Sequence, residues 1–490
     1  MSEGQAHIGS RRARIVGWVQ RHPSATLALF VLLLLIGFVL LLNRAVYLRL
    51  ERQINEIAER GDPVTVADLI ASDRSIPDGE NMSAALLKAA RQLLDGKDVP
   101  PELSALLPII GTARATPTGV PIPRDQLEIV EWYLAQFGED FRAIHEALKS
   151  NNGCLKLAWQ SPLSRMPIPE LKEIRTIAKV LWLSAVFAAE KGDQKAAAEF
   201  LNLACSVPST LRCSNPPLTV ILTQLSIMNG AHHHIERAIN RIGLSADQIA
   251  GLQAAIREHE TPLDLEHSFQ VERAFIFDST LMLDRRPGEV RRYQLQGFAK
   301  RGGVHGLAAI RIITYLDGLR RFNELISAVG KHDLDALKKS RAVVSDLSEL
   351  HKYQMSDFTL SIPGNVRAIE WSIRARGTAR ALQVALAAER FRMDEGQWPT
   401  SPHELVPKYL EAVPIDPFDD KPIRYSIIPE GIIIWCIGED LKDDGGEIAS
   451  LATRLRTKDC RDWGWIILNP ELRGRPVGAT TQAAGEGGDQ

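Results

Sequence analysis

The hydrophobic pattern of the chain changes character twice. Ala25 to Leu42, ATLALFVLLLLIGFVLLL, is 18 residues without a charge, enough to cross a hydrocarbon core of about 30 Å as a helix. From there the apolar positions recur at helical spacing. YLRLERQINEIAERGDPVT continues as a helix and stops at Gly61-Asp62-Pro63, a breaker. A short helix, a Pro-Asp-Gly turn and a second helix from about Asn81 follow, then an irregular Pro/Thr/Gly-rich loop over 100–123. Helices resume at Asp125, and a long helix ending at Gly192-Asp193 is followed at once by an Ala-rich one. The last helix is expected at about Ala368–Met393. Beyond it the texture becomes strand-like: PIRYSI and GIIIWCI are joined by Pro429-Glu430-Gly431, a hairpin signature, and DWGWIIL makes a third strand.

These elements predict a mainly α protein with five parts. They are a basic cytoplasmic tail over 1–24, a transmembrane helix over 25–43, an α-helical ectodomain over 44–365, an α+β module with a three-stranded antiparallel sheet over 366–470, and a tail over 471–490 that lacks apolar periodicity and is expected to be disordered. The helix, Gly-Asp turn and helix around Gly192 resemble one tetratricopeptide-like α-hairpin. No repeat of period 34 extends it into an array.

A cleaved signal peptide is the rival for the first segment. Its apolar region would run about 7–15 residues and end in a small-x-small site, whereas NRAVYLRLERQ follows here. An uncleaved anchor is therefore expected. Arg11, Arg12, Arg14 and Arg21 precede the span, and Arg44, Arg49 and Arg52 follow it. That slight bias predicts a single-pass protein of the inner membrane with its N-terminus cytoplasmic and the remainder outside. The rest of the composition is ordinary, with 45% hydrophobic and 24% charged residues and a net charge of −2. Nothing in it calls for nucleic acid.

Candidate chemistry is sparse. No G-x-S-x-G, H-E-x-x-H, C-x-x-C or G-x-G-x-x-G occurs. His232, His233 and His234 are consecutive, so on a helix they point about 100° apart and cannot close on one ion. KRGGVHG at Lys300–Gly306 lacks the Gly-Lys-Ser/Thr ending of a phosphate loop. An envelope enzyme, hydrolase-like, would have to assemble scattered groups such as Glu272, Arg273, His267 or His305. Among the five cysteines, Cys205 with Cys213 and Cys436 with Cys460 are candidate disulfides, with Cys154 left over. The acidic stretch GEDLKDDGGE at Gly438–Glu447 lies between two strands and supplies hard oxygen ligands of the kind Ca²⁺ takes.

From about Ala379 to Leu468 the chain resembles the C-terminal part of type II secretion major pseudopilins. The likeness rests on ALAAERFRMDEGQWPTSPHELV, VPIDPFDDKPIRYSI, CIGEDLKDDGGE and DWGWIIL. It implies a helical spine ending in a small antiparallel sheet, with Ca²⁺ on the loop between strands. Carried over, the ligands would be Asp440, Asp443 and Asp444, with Asp459 or Asp462 distal. The pattern departs at two places: the apolar helix has Gly37-Phe38 but no Glu, and Leu441 stands where a glycine is expected. The chain as a whole also resembles single-pass bacterial membrane proteins that join GDPVTVADL and IPDGEN to an Ala/Leu-rich helical ectodomain and this terminal module. That likeness implies architecture alone. The expected function is a non-enzymatic envelope role in structure, interaction or secretion, with protein partners in the cell envelope.

Overall fold

The computed structural model describes Trp18 and residues 20–474 apart from 75, 96–98, 114–115, 117–119, 138–140, 150–151, 161–165, 282–307, 331, 349–355 and 449–461. The protein is 67% helical, with fourteen α-helices and one three-stranded sheet among the described residues.

Helix α1 (Pro23–Glu59) carries the apolar run and continues well past it. Its most apolar window has a mean hydropathy of 3.1, and none of that window is buried in the protein. It is the one described helix long and apolar enough to cross a membrane. Farther along, the same helix turns a face inward, burying Val46, Leu50, Ile54 and Ile57. Four-residue and three-residue steps keep these side chains on one side.

The following helices begin where their capping residues put them. α2 (Val66–Ser72) opens on a reciprocal pair: the Thr65 hydroxyl accepts from the Asp68 N–H, and the Asp68 carboxylate accepts from the Thr65 N–H. Asn81 caps α3 (Met82–Leu94). The Pro-rich stretch holds a single turn, α4 (Pro101–Ser104), and the helix expected from Asp125 is divided into α5 (Arg124–Ala135) and α6 (Phe141–Leu148). α7 (Glu170–Glu190) and α8 (Gln194–Ser206) form the expected hairpin. Gly192 supplies the left-handed turn at φ 78°, and the Asp193 carboxylate accepts from the Ala196 N–H. α9 (Leu218–Ile242), α10 (Ala246–Arg257), α11 (Leu265–Leu281), α12 (Ala308–Val329) and α13 (Asp333–Ser348) complete the set before the last helix.

That last helix, α14 (Asp357–Glu395), starts earlier than its apolar pattern indicates, from a Ser356 cap. It packs against α9, α10, α11, α12, α13 and two strands. From Ala381 to Glu389 every residue is buried, so this segment is surrounded rather than amphipathic. Alanines dominate there because neighbours approach on all sides. Position 366 falls inside this helix.

The strands are β1 (Arg424–Ile428), β2 (Gly431–Cys436) and β3 (Trp463–Leu468), antiparallel in the order β1-β2-β3. Gly377 of α14 lets the sheet lie close, since a Cβ there would come within 2.7 Å of the Cys436 sulfur. α9 covers the outer edge of β3 with side chains instead of a fourth strand. The Asn240 amide donates to the Ile466 carbonyl at 2.7 Å and accepts from the Leu468 N–H at 2.8 Å. Glu236 accepts from the Ile466 N–H at 3.1 Å. Both side chains are fully buried. Trp465 adds a bond from its indole N–H to the Thr378 carbonyl at 2.7 Å. One hydrophobic core accordingly runs from Val46 in α1 to Ile467 in β3.

Asn240→Leu keeps the volume but leaves a strand N–H and a carbonyl buried without partners. It is expected to cost about 2–4 kcal/mol, read as a lower midpoint in urea unfolding of the purified protein. Gly377→Ala should destabilise by about 1–3 kcal/mol through overpacking against β2, with the loss visible in the same melt.

Candidate functional site

The residues with the most concentrated charge lie at one end of the sheet. Pro-Ile-Asp-Pro-Phe brings Asp416 into the core, where it is fully buried. Its Oδ1 accepts from the Phe418 N–H at 2.9 Å, and its Oδ2 accepts from the Ile437 N–H at 2.8 Å and from Arg424 at 2.7 Å. Burial pushes this carboxyl up to about 6, against the pull of those donors. Arg424, the first residue of β1, also donates to Asp419 at 2.6 Å and to Asp443 at 2.7 Å. Its three arms thus hold three carboxylates, a geometry that a guanidinium fork provides and a lysine does not.

Beyond β2 the chain folds tightly, with Leu441, Gly445 and Gly446 at φ 62°, 74° and 81°. Leu441 adopts this left-handed conformation although it carries a Cβ. Glu439 at the base of the loop pairs with Arg374 of α14 at 2.8 Å, and Arg374 lies over the Trp463 ring at 4.2 Å. At the other side Asp462, buried just before β3, accepts through Oδ2 from the Asp444 N–H at 3.1 Å and the Gly446 N–H at 2.9 Å. Its Oδ1 and the Oδ2 of Asp444 are buried without a hydrogen-bond partner among the described residues. Burial raises the Asp462 carboxyl to about 6, and the neighbouring charges of Asp443 and Asp444 add to the rise.

The five expected ligands therefore divide. Asp444 and Asp462 come together through the Asp444 N–H to Asp462 Oδ2 bond, each with one oxygen that has no hydrogen-bond partner among the described residues. Asp443 is engaged by Arg424, by the Trp435 indole N–H at 3.0 Å and by the Gly445 N–H. Burial alone would raise its carboxyl, but those donors hold it below the usual range. Asp440 accepts from the Lys442 N–H within its own turn. Asp459 lies outside the described residues. Among the described residues no three His, Cys, Asp or Glu side chains form a group of metal-ligand geometry.

The other candidates are drawn into packing. The three consecutive histidines diverge as expected: His234 stacks by Trp182 at 5.4 Å between ring centres, while His232 meets His259 from the turn after α10 at 2.8 Å. His259 Nε2 faces the Cys205 carbonyl at 2.9 Å. A carbonyl only accepts, so that nitrogen carries the proton, His259 Nδ1 accepts, and His232 Nε2 donates to it. Burial lowers the basicity of both imidazoles. A cavity of about 220 Å³ beside His259 is lined by Leu211, Arg212, Cys213, Met228, Glu258 and Asp264, among others. Arg212 and Glu258 pair with each other there, and burial pushes the Cys213 thiol up to about 12.

Glu272 accepts from the Leu218 N–H at 2.9 Å, capping α9 from a neighbouring helix. Arg273 bridges Asp62 and Asn323, at 2.7 Å to each. His267 lies between Gln270 and Asn215, and His305 is outside the described residues. Cys205 and Cys213 are free thiols, so the first candidate disulfide is not formed. Both thiols are strongly desolvated. Cys436 is also free and donates to the Trp463 carbonyl at 3.3 Å. Its expected partner Cys460 lies outside the described residues. Sequence reasoning missed Asp416, Arg424, Asn240, Glu236 and His259. Only Asp416 carried a local signal, an acidic residue set between two prolines.

Comparison with protein-family profiles, curated proteins and solved structures found no match.

Asp462 gives this end of the sheet a testable pH signature. Its folded value of about 6 lies above the unfolded value of about 3.9. The folded state therefore binds the extra proton between those limits, and the cost of the buried charge appears as pH rises through 6. Asp462→Asn keeps an acceptor for the two N–H groups and offers its amide to Asp444. In cation-free buffer the variant should melt a few degrees higher than the parent at pH 7.5, with the difference closing by pH 4.5. A constant difference across that range would contradict the assignment.

Proposed function

We propose that this protein is a non-enzymatic scaffold of the cell envelope, held in the cytoplasmic membrane by α1. Its N-terminus is inside, and its helical body and terminal sheet are outside as a surface for protein partners. The observation that carries this reading is the continuity of α1. The helix passes without a break from an unburied apolar span into residues that are built into the core, Val46 to Ile57. Cleavage after the span would leave a new terminus beside buried side chains, so an anchor fits better than a removable signal. The groups that the rival hydrolase reading requires, Glu272, Arg273 and His267, each serve a cap or a bridge.

The pseudopilin-like module fits this role as a bracing element that holds a divalent cation. Asp444 and Asp462 present the orphaned oxygens a hard cation prefers, and Ca²⁺ would be held by these two rather than by all five carboxylates. A bound cation would offset the desolvated charge of Asp462.

Two measurements test the proposal. Alkaline phosphatase fused at the C-terminus should be active in whole cells, and green fluorescent protein at the same place dark; the reverse pattern defeats the orientation. Adding Ca²⁺ to the detergent-solubilised full chain at pH 7.5 should raise the melting temperature of the parent and leave that of Asp462→Asn unmoved. Equal responses would remove the cation from the proposal.

A further inference from the structure

Three stretches of chain enclose the cavity beside His259. One is the tight helical turn Val207–Leu211 and the residues that leave it. The second is the first half of α9, and the third is the connection from α10 to α11. Hydrogen bonds cross the gap between the first and the third. The Ser209 hydroxyl donates to Glu258 at 3.3 Å, and Arg212 donates to the same carboxylate oxygen at 3.2 Å. These bonds tie the two walls at a set spacing.

Polarity is graded from floor to rim. Pro208, Leu211, Pro216, Ile221 and Met228 are buried and make an apolar floor. Two polar residues share it, and both are turned to neighbours. The Gln224 amide donates to the Pro208 carbonyl at 3.1 Å, and His259 spends one nitrogen on the Cys205 carbonyl and the other on His232. Arg212, Glu258 and Asp264 are exposed and form the rim. The cavity measures about 220 Å³. An apolar cavity of about 150 Å³ is enough to hold a benzene ring, so this one takes a ring with a short stem.

The charges of the rim decide which end group the stem carries. Two carboxylates face one guanidinium there, and Arg212 is already engaged by Glu258. Asp264 accepts from the His267 N–H at 3.0 Å at the start of α11, and no salt bridge reaches it among the described residues. One negative charge is left over at the mouth. An ammonium placed there is attracted by it, whereas a carboxylate is repelled.

We propose that this cavity binds a small organic amine, with its apolar body seated on the floor and its ammonium at the rim beside Asp264. A preformed pocket with an apolar lining and a few polar groups at its edge is the usual form of a small-molecule site. Contacts between exposed charges are weak, so the floor supplies most of the affinity and the rim supplies the choice of amine over acid. The site lies within the helical body. It goes beyond the scaffold reading and depends on neither the orientation in the membrane nor the aspartate pair of the terminal sheet.

The test titrates phenethylamine, and phenylacetate as an acid of similar shape, into the detergent-solubilised full chain by calorimetry. The parent should bind the amine several-fold more tightly than the acid. Asp264→Asn keeps the acceptor for the His267 N–H and removes the charge, so it should weaken the amine several-fold and leave the acid no weaker. Ile221→Phe adds bulk to the floor and should weaken both. No binding by the parent would overturn the proposal, and so would equal binding of amine and acid. An amine affinity that survives Ile221→Phe in a folded variant would place the ligand elsewhere and overturn it too. If Ile221→Phe does not fold, the Asp264→Asn comparison decides alone, and an unchanged preference for the amine there defeats the proposal.

Discussion

A buried amide on α9 holds the outer edge of the terminal sheet against the helical body. Asn240 of α9 offers β3 both a donor and an acceptor, so a helix side chain does for the sheet edge what another strand would do. An open edge with an apolar face is prone to pair with other chains. Here the edge is closed from within the same molecule, and Glu236 completes the closure. The sheet also lies on α14, and Gly377 permits that close approach. The terminal sheet and the helical body then share one core.

The same economy governs the ionisable groups. Most buried charges have a partner that ties distant segments: Arg473 grips Glu389 with two bonds at 2.7 and 2.8 Å, Arg424 holds three carboxylates, and Arg273 connects the end of α1 to α12. Each of these satisfies a charge that would be costly if left alone. Asp444 and Asp462 each keep one buried oxygen with no hydrogen-bond partner among the described residues.

The secondary structure was largely legible because its signals are local. The apolar run, the Gly192-Asp193 turn and the hairpin at Pro429-Glu430 appear where periodicity and turn chemistry put them. The beginning of α14 was not, since Pro363 and polar residues mask a segment whose burial comes from neighbouring helices. The candidate site was legible only in part. GEDLKDDGGE identifies an acidic loop, but composition does not distinguish Asp443, which meets Arg424, from Asp444, whose Oδ2 has no hydrogen-bond partner among the described residues. Leu441 shows the same limit: its left-handed backbone is imposed by the loop around it.

By itself the sequence determined the class of each element: an apolar helix of membrane-spanning length, a helical body, and three strands with a short hairpin. Those properties depend on spacing along the chain and on residues a few positions apart. Only the tertiary structure decided that the first helix continues into the core, that Asn240 seals the sheet, and that His232 faces His259 rather than its sequence neighbours. These outcomes join residues tens to hundreds of positions apart. The physical reason is that burial and hydrogen-bond satisfaction are set by what packs alongside, and that information resides in no single segment.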